Sequence, residues 1–332
     1  MLNNKTILIT GGTGTFGQKF TETILKNYKI KKLIIFSRDE FKQYEMAKKF
    51  PEDKYPIRYF IGDIRDKERL YRAFTTVDIV VHAAAMKHVP ACEYNPFEAV
   101  RTNIIGAQNI AEAAIDKGVE KVIVLSTDKA VSPVNLYGAT KLSMEKIFIA
   151  SSAMTGFKNT TFSLVRYGNV IGSRGSVVPF FLDLKKKGAK EFPVTDEKMT
   201  RFWISIEEGV NLVLYAMENG KGGEIFIPKI PSMKMLNLVK AIDKDAKIKL
   251  IGIRPGEKLH ETLVSEDEAR HSVDIGKYYV IYPEFIYKSG LADDYKKYPK
   301  LLEGFTYRSD NNEEWLEQNE LKKIIKEKFG DF

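Results

Sequence analysis

The stretch that decides the fold runs from residue 5 to residue 17, "KTILITGGTGTFG". A β-branched, nearly all-apolar run stops at two glycines, and glycine returns at positions 14 and 17 as helical spacing begins. An apolar strand followed at once by a tight turn and a helix opens a βα unit of a sheet buried on both faces. Glycines at 11, 14 and 17 let the chain turn sharply, bring backbone N–H groups against a pyrophosphate, and seat the helix on the sheet. Strand, turn and helix agree, so a dinucleotide is expected here, held by Gly11, Thr13, Gly14, Thr15, Phe16 and Gly17.

Outward from this unit the same rhythm continues. Short β-branched runs at 5–10, 32–37, 57–62, 78–84 and 121–127 read as buried strands. Amphipathic stretches at Phe16–Asn27, Lys67–Thr75 and Pro96–Lys117 separate them. The pattern predicts an α/β fold, a Rossmann-type doubly wound parallel sheet. "TFSLVRYGNV" (161–170) reads as one further core strand and "GEIFIPK" (223–229) as another. "MTRFWISIEEGVNLVLYAMENG" (199–220) opens as a loop or strand and becomes a helix. The dinucleotide domain is expected over 1–170 plus about 200–230. A smaller, discontinuous substrate-binding lobe with a C-terminal extension is expected over about 171–199 and 231–332.

Composition narrows the function classes. The 332 residues are 44% hydrophobic and 29% charged, which suits a soluble, well-cored protein. No apolar run is long enough for a membrane span. "MLNNKTILITGG" lacks a cleavage site and runs straight into the glycine turn, unlike a signal peptide. A single cysteine, Cys92, allows no intrachain disulfide and no multi-cysteine metal cluster, and fits the cytoplasm. The formal charge of +8 is spread along the chain without a nucleic-acid motif, so an anionic small molecule is the expected partner rather than nucleic acid.

The second strand ends in "FSRDE", where NAD binders usually place an acid for the ribose 2′-hydroxyl. Here Ser37 and Arg38 come first, then Asp39, with Lys42 a turn later. A hydroxyl and a guanidinium suit a 2′-phosphate, so NADP is expected ahead of NAD, while Asp39 keeps NAD open. Asp63 is placed for the adenine amine with Ile64 against the ring, and small Ala83 and Ala84 let the cofactor lie close. His82 and His88 read as packing or loop residues, and no metal site is expected.

The fifth strand runs into "STDKAVSPVNLYGATK" (126–141). Tyr137 and Lys141 are four apart, so on a helix they share a face, and a neighbouring ammonium would favour the phenolate. The strand ends in Ser126 and Thr127, whose hydroxyls can bond the same substrate oxygen, which makes them an acid–base group with Tyr137 and Lys141. Tyr137 and Lys141 are also expected against the cofactor. Asp128 and Lys129 add a carboxylate and an amine that oxidation alone would not need.

"TGGTGTFG", "HAAAMKHVP", "TNIIGAQN", "STDKAVSPVNLYGATK", "RYGNVIGSRGSVVPFF", "MTRFW" and "RPGEKLHE" span most of the chain. Together they resemble the inverting UDP-N-acetylglucosamine 4,6-dehydratases of the extended short-chain dehydrogenase/reductase superfamily. The resemblance implies C4 oxidation with hydride passing to NADP, loss of water across C5 and C6, hydride return to C6, and reprotonation of C5 from the opposite face. It implies Asp128 as the acid for the C6 hydroxyl and Lys129 or Tyr137 as the C5 base. Retaining dehydratases carry Thr-Asp-Glu where this chain has Thr-Asp-Lys. The product would be UDP-2-acetamido-2,6-dideoxy-β-L-arabino-hex-4-ulose, the first step towards pseudaminic acid. Lys87, Tyr137, Asn169, Arg201, Arg254 and Glu257 are implied as ligands of UDP-N-acetylglucosamine, with Lys87 near the cofactor too. A homo-oligomer is implied, with contacts in the C-terminal part. The competing readings are a nucleotide-sugar 4-epimerase, with little use for Asp128 and Lys129, and a non-catalytic NADP-binding regulator, which would tend to lose Tyr137 or Lys141.

Overall fold

The structure, a computed structural model, describes residues 2–155, 159–173, 175–283 and 291–332. Six strands run parallel in one sheet: β1 (Thr6–Thr10), β2 (Lys32–Ser37), β3 (Ile57–Ile61), β4 (Ile79–His82), β5 (Lys121–Leu125) and β6 (Thr161–Val165). Their spatial order is β3-β2-β1-β4-β5-β6, so the chain reverses direction across the sheet between β1 and β4. That switch point opens a crevice at the strand C-termini, and the glycine turn lies in it. Strand Ile225–Pro228 continues the parallel set beside β6. Strands Tyr278–Ile281 and Ser272–Asp274 then close the edge in antiparallel sense.

Buried apolar runs explain the centre of the sheet, since every residue of β1 and β4 is buried. Helix α1 (Thr15–Asn27) packs beside the helix Ile206–Asn219, and helices Lys67–Ala73, Gly106–Lys117 and Leu136–Ser151 pack successively against one another. The predicted helix over 96–117 is not uniform. It begins as α-helix at Pro96–Val100, widens to a π-turn at Arg101–Ile105, and resumes at Gly106. Such widened turns gather at functional sites, and this one lies against the crevice.

The stretch 161–170 forms two strands rather than the one expected. Gly168 marks the break: a Cβ there would lie 2.5 Å from the Phe202 Cβ, so only glycine lets the chain pass strand Thr200–Ile204. Asn169–Val170 then joins Thr200–Ile204 and Ser232–Lys234 in a small separate sheet. Strand 200–204 alternates its faces, giving Phe202 to the main core and Trp203 to a second apolar cluster with Phe181, Phe192, Leu238 and Leu321. The allocation of all of 231–332 to the smaller lobe needs correction. Strands 272–274 and 278–281 extend the main sheet, and Val264, Val273 and Tyr307 pack into its core.

Candidate active site

The crevice at the strand C-termini is a cleft of about 770 Å³. At one end the turn after β1 is held by Gly14 N–H donating to Gly11 O at 2.9 Å. Gly11 takes φ +67°, and a Cβ on it would sit 2.9 Å from the Ala84 backbone. A Cβ on Gly17 would sit 2.2 Å from Gly12 O. The glycines therefore close two backbone approaches that any side chain would block. Gly14 is the N-cap of α1 and supplies no side-chain cap, so the positive end of that helix lies at the cleft, where it suits an anion. These features fit a dinucleotide.

All of the sequence-predicted cofactor residues line this one cleft: Gly11, Thr13, Gly14, Thr15, Phe16, Gly17, Ser37, Arg38, Asp39, Lys42, Asp63, Ile64, Ala83, Ala84, Lys87, Tyr137 and Lys141. Asp39 caps the helix Glu40–Lys49 by accepting from Lys42 N at 3.0 Å, and pairs with the Lys42 ammonium at 2.6 Å. Asp63 accepts from Arg65 at 2.9 and 2.6 Å, with Arg38 at 3.6 Å. Burial alone would raise the Asp63 pKa, but Arg65, with help from Arg38, holds it below the usual carboxylate range.

The reaction end is built by the turn after β5. The helix Leu136–Ser151 starts at Asn135, whose side chain accepts from Gly138 N at 2.8 Å and donates to Gly256 O at 2.7 Å. A Cβ on Gly138 would lie 2.1 Å from Lys129 O, so this glycine lets the helix carrying Tyr137 press against the Asp128–Ala130 turn. Thr127 donates to Asp128 Oδ1 at 2.9 Å and shares a hydrogen bond with Tyr137. Lys129 Nζ lies 3.0 Å from the same Asp128 oxygen and 3.3 Å from Glu261 Oε1. Burial opposes the Lys129 charge, but Asp128 and Glu261 outweigh it and hold the ammonium protonated, with Arg201 acting the other way.

Three expectations change here. Lys141 does share a helix face with Tyr137, yet its ammonium donates to Leu125 O at 2.7 Å. Burial lowers its pKa to about 8, partly offset by Glu145. The cation acting on the phenol is Lys129, and burial still outweighs it, pushing Tyr137 up to about 12. Asp128 is fully buried behind the cleft wall, which half-buried Thr127 and Lys129 line instead. Arg201 is also buried, and its guanidinium donates to the carbonyls of Thr200, Leu259 and Lys258 at 2.7, 3.0 and 2.9 Å. With three donors committed to backbone and no place in the cleft lining, Arg201 does not face the cleft as a phosphate ligand.

Lys87 and Asn169 line the cleft, and Asn169 Oδ1 is buried without a hydrogen-bond partner among the described residues. Arg254 and Glu257 lie outside it; Arg254 is exposed, and Glu257 accepts from Thr195 at 3.0 Å. Four other polar residues gather here. Ser126, Thr102 and Ser176 line the cleft with buried hydroxyls that have no partner among the described residues, and Glu261 reaches Lys129. A serine before an apolar helical run is an N-cap signal that could have marked Ser176. Thr102 and Glu261 sit inside "TNIIGAQN" and "RPGEKLHE", where nothing local separates them from their neighbours.

The parallel sheet, the glycine turn after its first strand, and Tyr137 with Lys141 after its fifth define an extended short-chain dehydrogenase/reductase. A family model described as "Polysaccharide biosynthesis protein" matches residues 7–283, and the chain belongs to that family. The inverting UDP-N-acetylglucosamine 4,6-dehydratase of Campylobacter jejuni subsp. jejuni is 54% identical, over 98% of each chain. A UDP-glucose 4-epimerase of Rickettsia canadensis is 46% identical over 85% of this chain and 84% of its own. The X-ray structure of Pen from Bacillus thuringiensis is 39% identical and superposes with a TM-score of 0.90 over 98% of both chains.

Proposed function

We propose that this protein is a UDP-N-acetylglucosamine 4,6-dehydratase that inverts C5, yielding UDP-2-acetamido-2,6-dideoxy-β-L-arabino-hex-4-ulose. The observation that carries this reading is the Asp128–Lys129 pair, built into the cleft wall beside Tyr137. A 4-epimerase moves a hydride and a hydroxyl proton at one carbon and has no task for a second acid–base pair. The retained Tyr137 and Lys141 speak against a non-catalytic regulator. The 54% identity over nearly the whole chain supports the dehydratase over the epimerase.

NADP, held along the glycine turn at Gly11, Gly14 and Gly17, would supply the hydride chemistry for oxidation at C4 and reduction at C6. Tyr137 takes the C4 hydroxyl proton as that carbon is oxidised, and Ser126 Oγ, buried without a partner among the described residues, would hold the same oxygen. The resulting ketone makes the C5 proton acidic. One transfer along the 3.0 Å Lys129–Asp128 hydrogen bond then prepares both remaining roles. It leaves Lys129 as a neutral amine to take the C5 proton and Asp128 as a carboxylic acid. Asp128 lies behind the wall, so the Thr127 hydroxyl bonded to it relays the proton to the C6 oxygen, and water leaves. The cluster ends as the ion pair it began as, and Tyr137 holds the proton removed from the C4 hydroxyl, which balances the one that C5 takes from the face opposite Lys129.

NADP is the preferred cofactor in this reading. The one acid placed for a ribose hydroxyl, Asp39, is tied to a helix cap and to Lys42, and Arg38 adds a second cation at the rim. Lys87, Tyr137 and Asn169 hold the sugar nucleotide. The enzyme acts in the cytoplasm, as a homo-oligomer, on the first step of pseudaminic acid-type sugar synthesis. The expected C-terminal contacts include 284–290, which lie outside the described residues. Among the described residues no helix is long and apolar enough to cross a membrane.

Incubation with UDP-N-acetylglucosamine in deuterated water tests the whole proposal. The expected product is lighter by one water before isotope correction, carries deuterium at C5 and has the L-configuration. A product of unchanged mass, epimerised at C4, would establish the epimerase instead.

A further inference from the structure

Lys129 has a neighbour that neither its sequence position nor the acid–base pair accounts for. Glu261 precedes the strand Thr262–Val264 in the C-terminal part of the chain, far in sequence from the β5 turn. It is 2% exposed, and its Oε1 lies 3.3 Å from Lys129 Nζ. The other oxygen, Oε2, is buried without a partner among the described residues. Its backbone is fixed on both sides: Glu261 N donates to Ser309 Oγ at 3.0 Å, and Ser309 N donates to Glu261 O at 2.9 Å. Behind it stands Arg201, 3.8 Å away and itself pinned to three carbonyls.

A buried carboxylate with one idle oxygen is costly unless the site uses its charge. The ammonium 3.3 Å from it is the one that changes protonation in the proposed elimination. We infer that Glu261 is a positioning residue for the dehydration step, a fixed anion that aims the Lys129 amine at C5 and stabilises the ammonium formed when the C5 proton arrives. This rests on the dehydratase reading and deepens it. Protons balance as before: Lys129 gives one to Asp128 and receives one from C5, while Glu261 stays ionised throughout. Asp128 cannot serve as that anion, because it is the neutral acid at the moment Lys129 must act as base. A second carboxylate is therefore required by the charge arithmetic of the step, and Glu261 is the one in place.

The charged and titratable groups facing Lys129 are Asp128 and Tyr137 from the Rossmann side, and Glu261, Arg201 and Lys258 from the C-terminal side. Removing the Glu261 charge leaves two cations on that side, Arg201 and Lys258, unopposed by it. The sign follows: Glu261→Gln lowers the proton affinity of Lys129.

The test measures kcat against pH, and C5 deuterium uptake, for wild type and Glu261→Gln with NADP and UDP-N-acetylglucosamine. The expected variant is folded, binds NADP, and still forms reduced cofactor in a single turnover, because C4 oxidation does not use Glu261. Its kcat falls by roughly tenfold to a hundredfold, deuterium uptake at C5 slows in parallel, and the limb of the profile reporting Lys129 moves to lower pH. Glu261→Asp should restore part of kcat and return the limb towards wild type. A folded Gln variant with an unmoved limb and wild-type deuterium uptake overturns the inference, whatever happens to its melting temperature. If the Gln variant fails to fold, the Asp variant decides: its shorter reach must move the limb acidward, and an unmoved limb overturns the inference. A wild-type enzyme that removes no water from the substrate brings down the dehydratase reading itself. A dehydrating wild type with an indifferent Glu261 variant brings down only this inference.

Discussion

Two buried charge clusters flank the helix Leu136–Ser151, and they are completed to very different degrees. In the first, Arg166 is fully buried and every guanidinium nitrogen is engaged. Nε and Nη2 meet Glu145 at 3.1 and 2.6 Å, Nη1 and Nη2 meet Glu268 at 3.1 and 2.9 Å, and Nη1 also reaches Leu263 O at 2.9 Å. This cluster ties the helix to the C-terminal segment and lies away from the cleft lining. In the second, Asp128, Lys129 and Glu261 share one ammonium, and Asp128 Oδ2 and Glu261 Oε2 have no partner among the described residues. Each idle buried oxygen costs about 1–3 kcal/mol. Full pairing holds one geometry, whereas incomplete pairing beside a cleft leaves lone pairs for protons to use. Completeness of pairing, rather than burial or charge, separates the structural cluster from the chemical one.

That distinction breaks or sharpens under substitution. The largest effect is expected at the open cluster. Asp128→Asn should lower turnover by roughly a hundredfold to ten-thousandfold while cofactor stays bound and denaturant unfolding is little changed. A stability loss matching that of the closed cluster would erase the difference between them.

At the closed cluster, Arg166→Met should cost about 3–5 kcal/mol of stability, read from denaturant unfolding, because buried Glu145 and half-buried Glu268 lose their cation. The kcat of the folded fraction should fall far less than in Asp128→Asn.

His82 gives an intermediate case. Its Nδ1 is 2.8 Å from Thr10 Oγ1, while Nε2 has no partner among the described residues. Burial, with the nearby Lys141 charge, lowers its pKa from 6.5 to about 3. The unfolded chain therefore takes up a proton as pH falls through 6.5, where the folded chain does not. Stability fully present above 6.5 should be lost as pH drops towards 3, by up to about 1.4 kcal/mol per pH unit for this group. His82→Asn should flatten that slope in unfolding measured across the window.

The smallest effect belongs to the rim, where the Arg38 side chain is 58% exposed and its pairing is weak. Arg38→Ala should reduce the preference for NADP over NAD by about tenfold, measured as a ratio of dissociation constants. An unchanged ratio would assign the preference to Lys42 or Ser37 instead.

Much of the cofactor end was legible because its causes are local. Gly14 and Gly17 act within a few residues of themselves and Gly11 sets the turn, and strand periodicity located β1 to β5 with errors at their ends, while the stretch expected as one strand over 161–170 divides between two sheets. The Asp128–Lys129 pair was legible as a motif, but its orientation was not. Which of the two faces the cleft depends on how the turn packs under Gly138 and against Glu261. Lys141 was misjudged for a related reason. Spacing of four residues puts it on the Tyr137 face, but the carbonyl of Leu125, supplied by β5, captures its ammonium. Arg201 looked like a phosphate ligand because an arginine in isolation has five free donors, and only the fold shows three of them spent on backbone carbonyls and the group turned away from the cleft lining.

The amino-acid order alone determined the doubly wound sheet, the dinucleotide turn and the identity of the reactive side chains, since each is written in contacts that span a turn or two of chain. The tertiary structure alone decided which charges meet. Glu261 and Lys129 are brought to 3.3 Å from distant segments, as are Arg166, Glu145 and Glu268. Coulomb forces and hydrogen bonds act over a few ångströms of space regardless of separation along the chain, so no local pattern could have announced those partners.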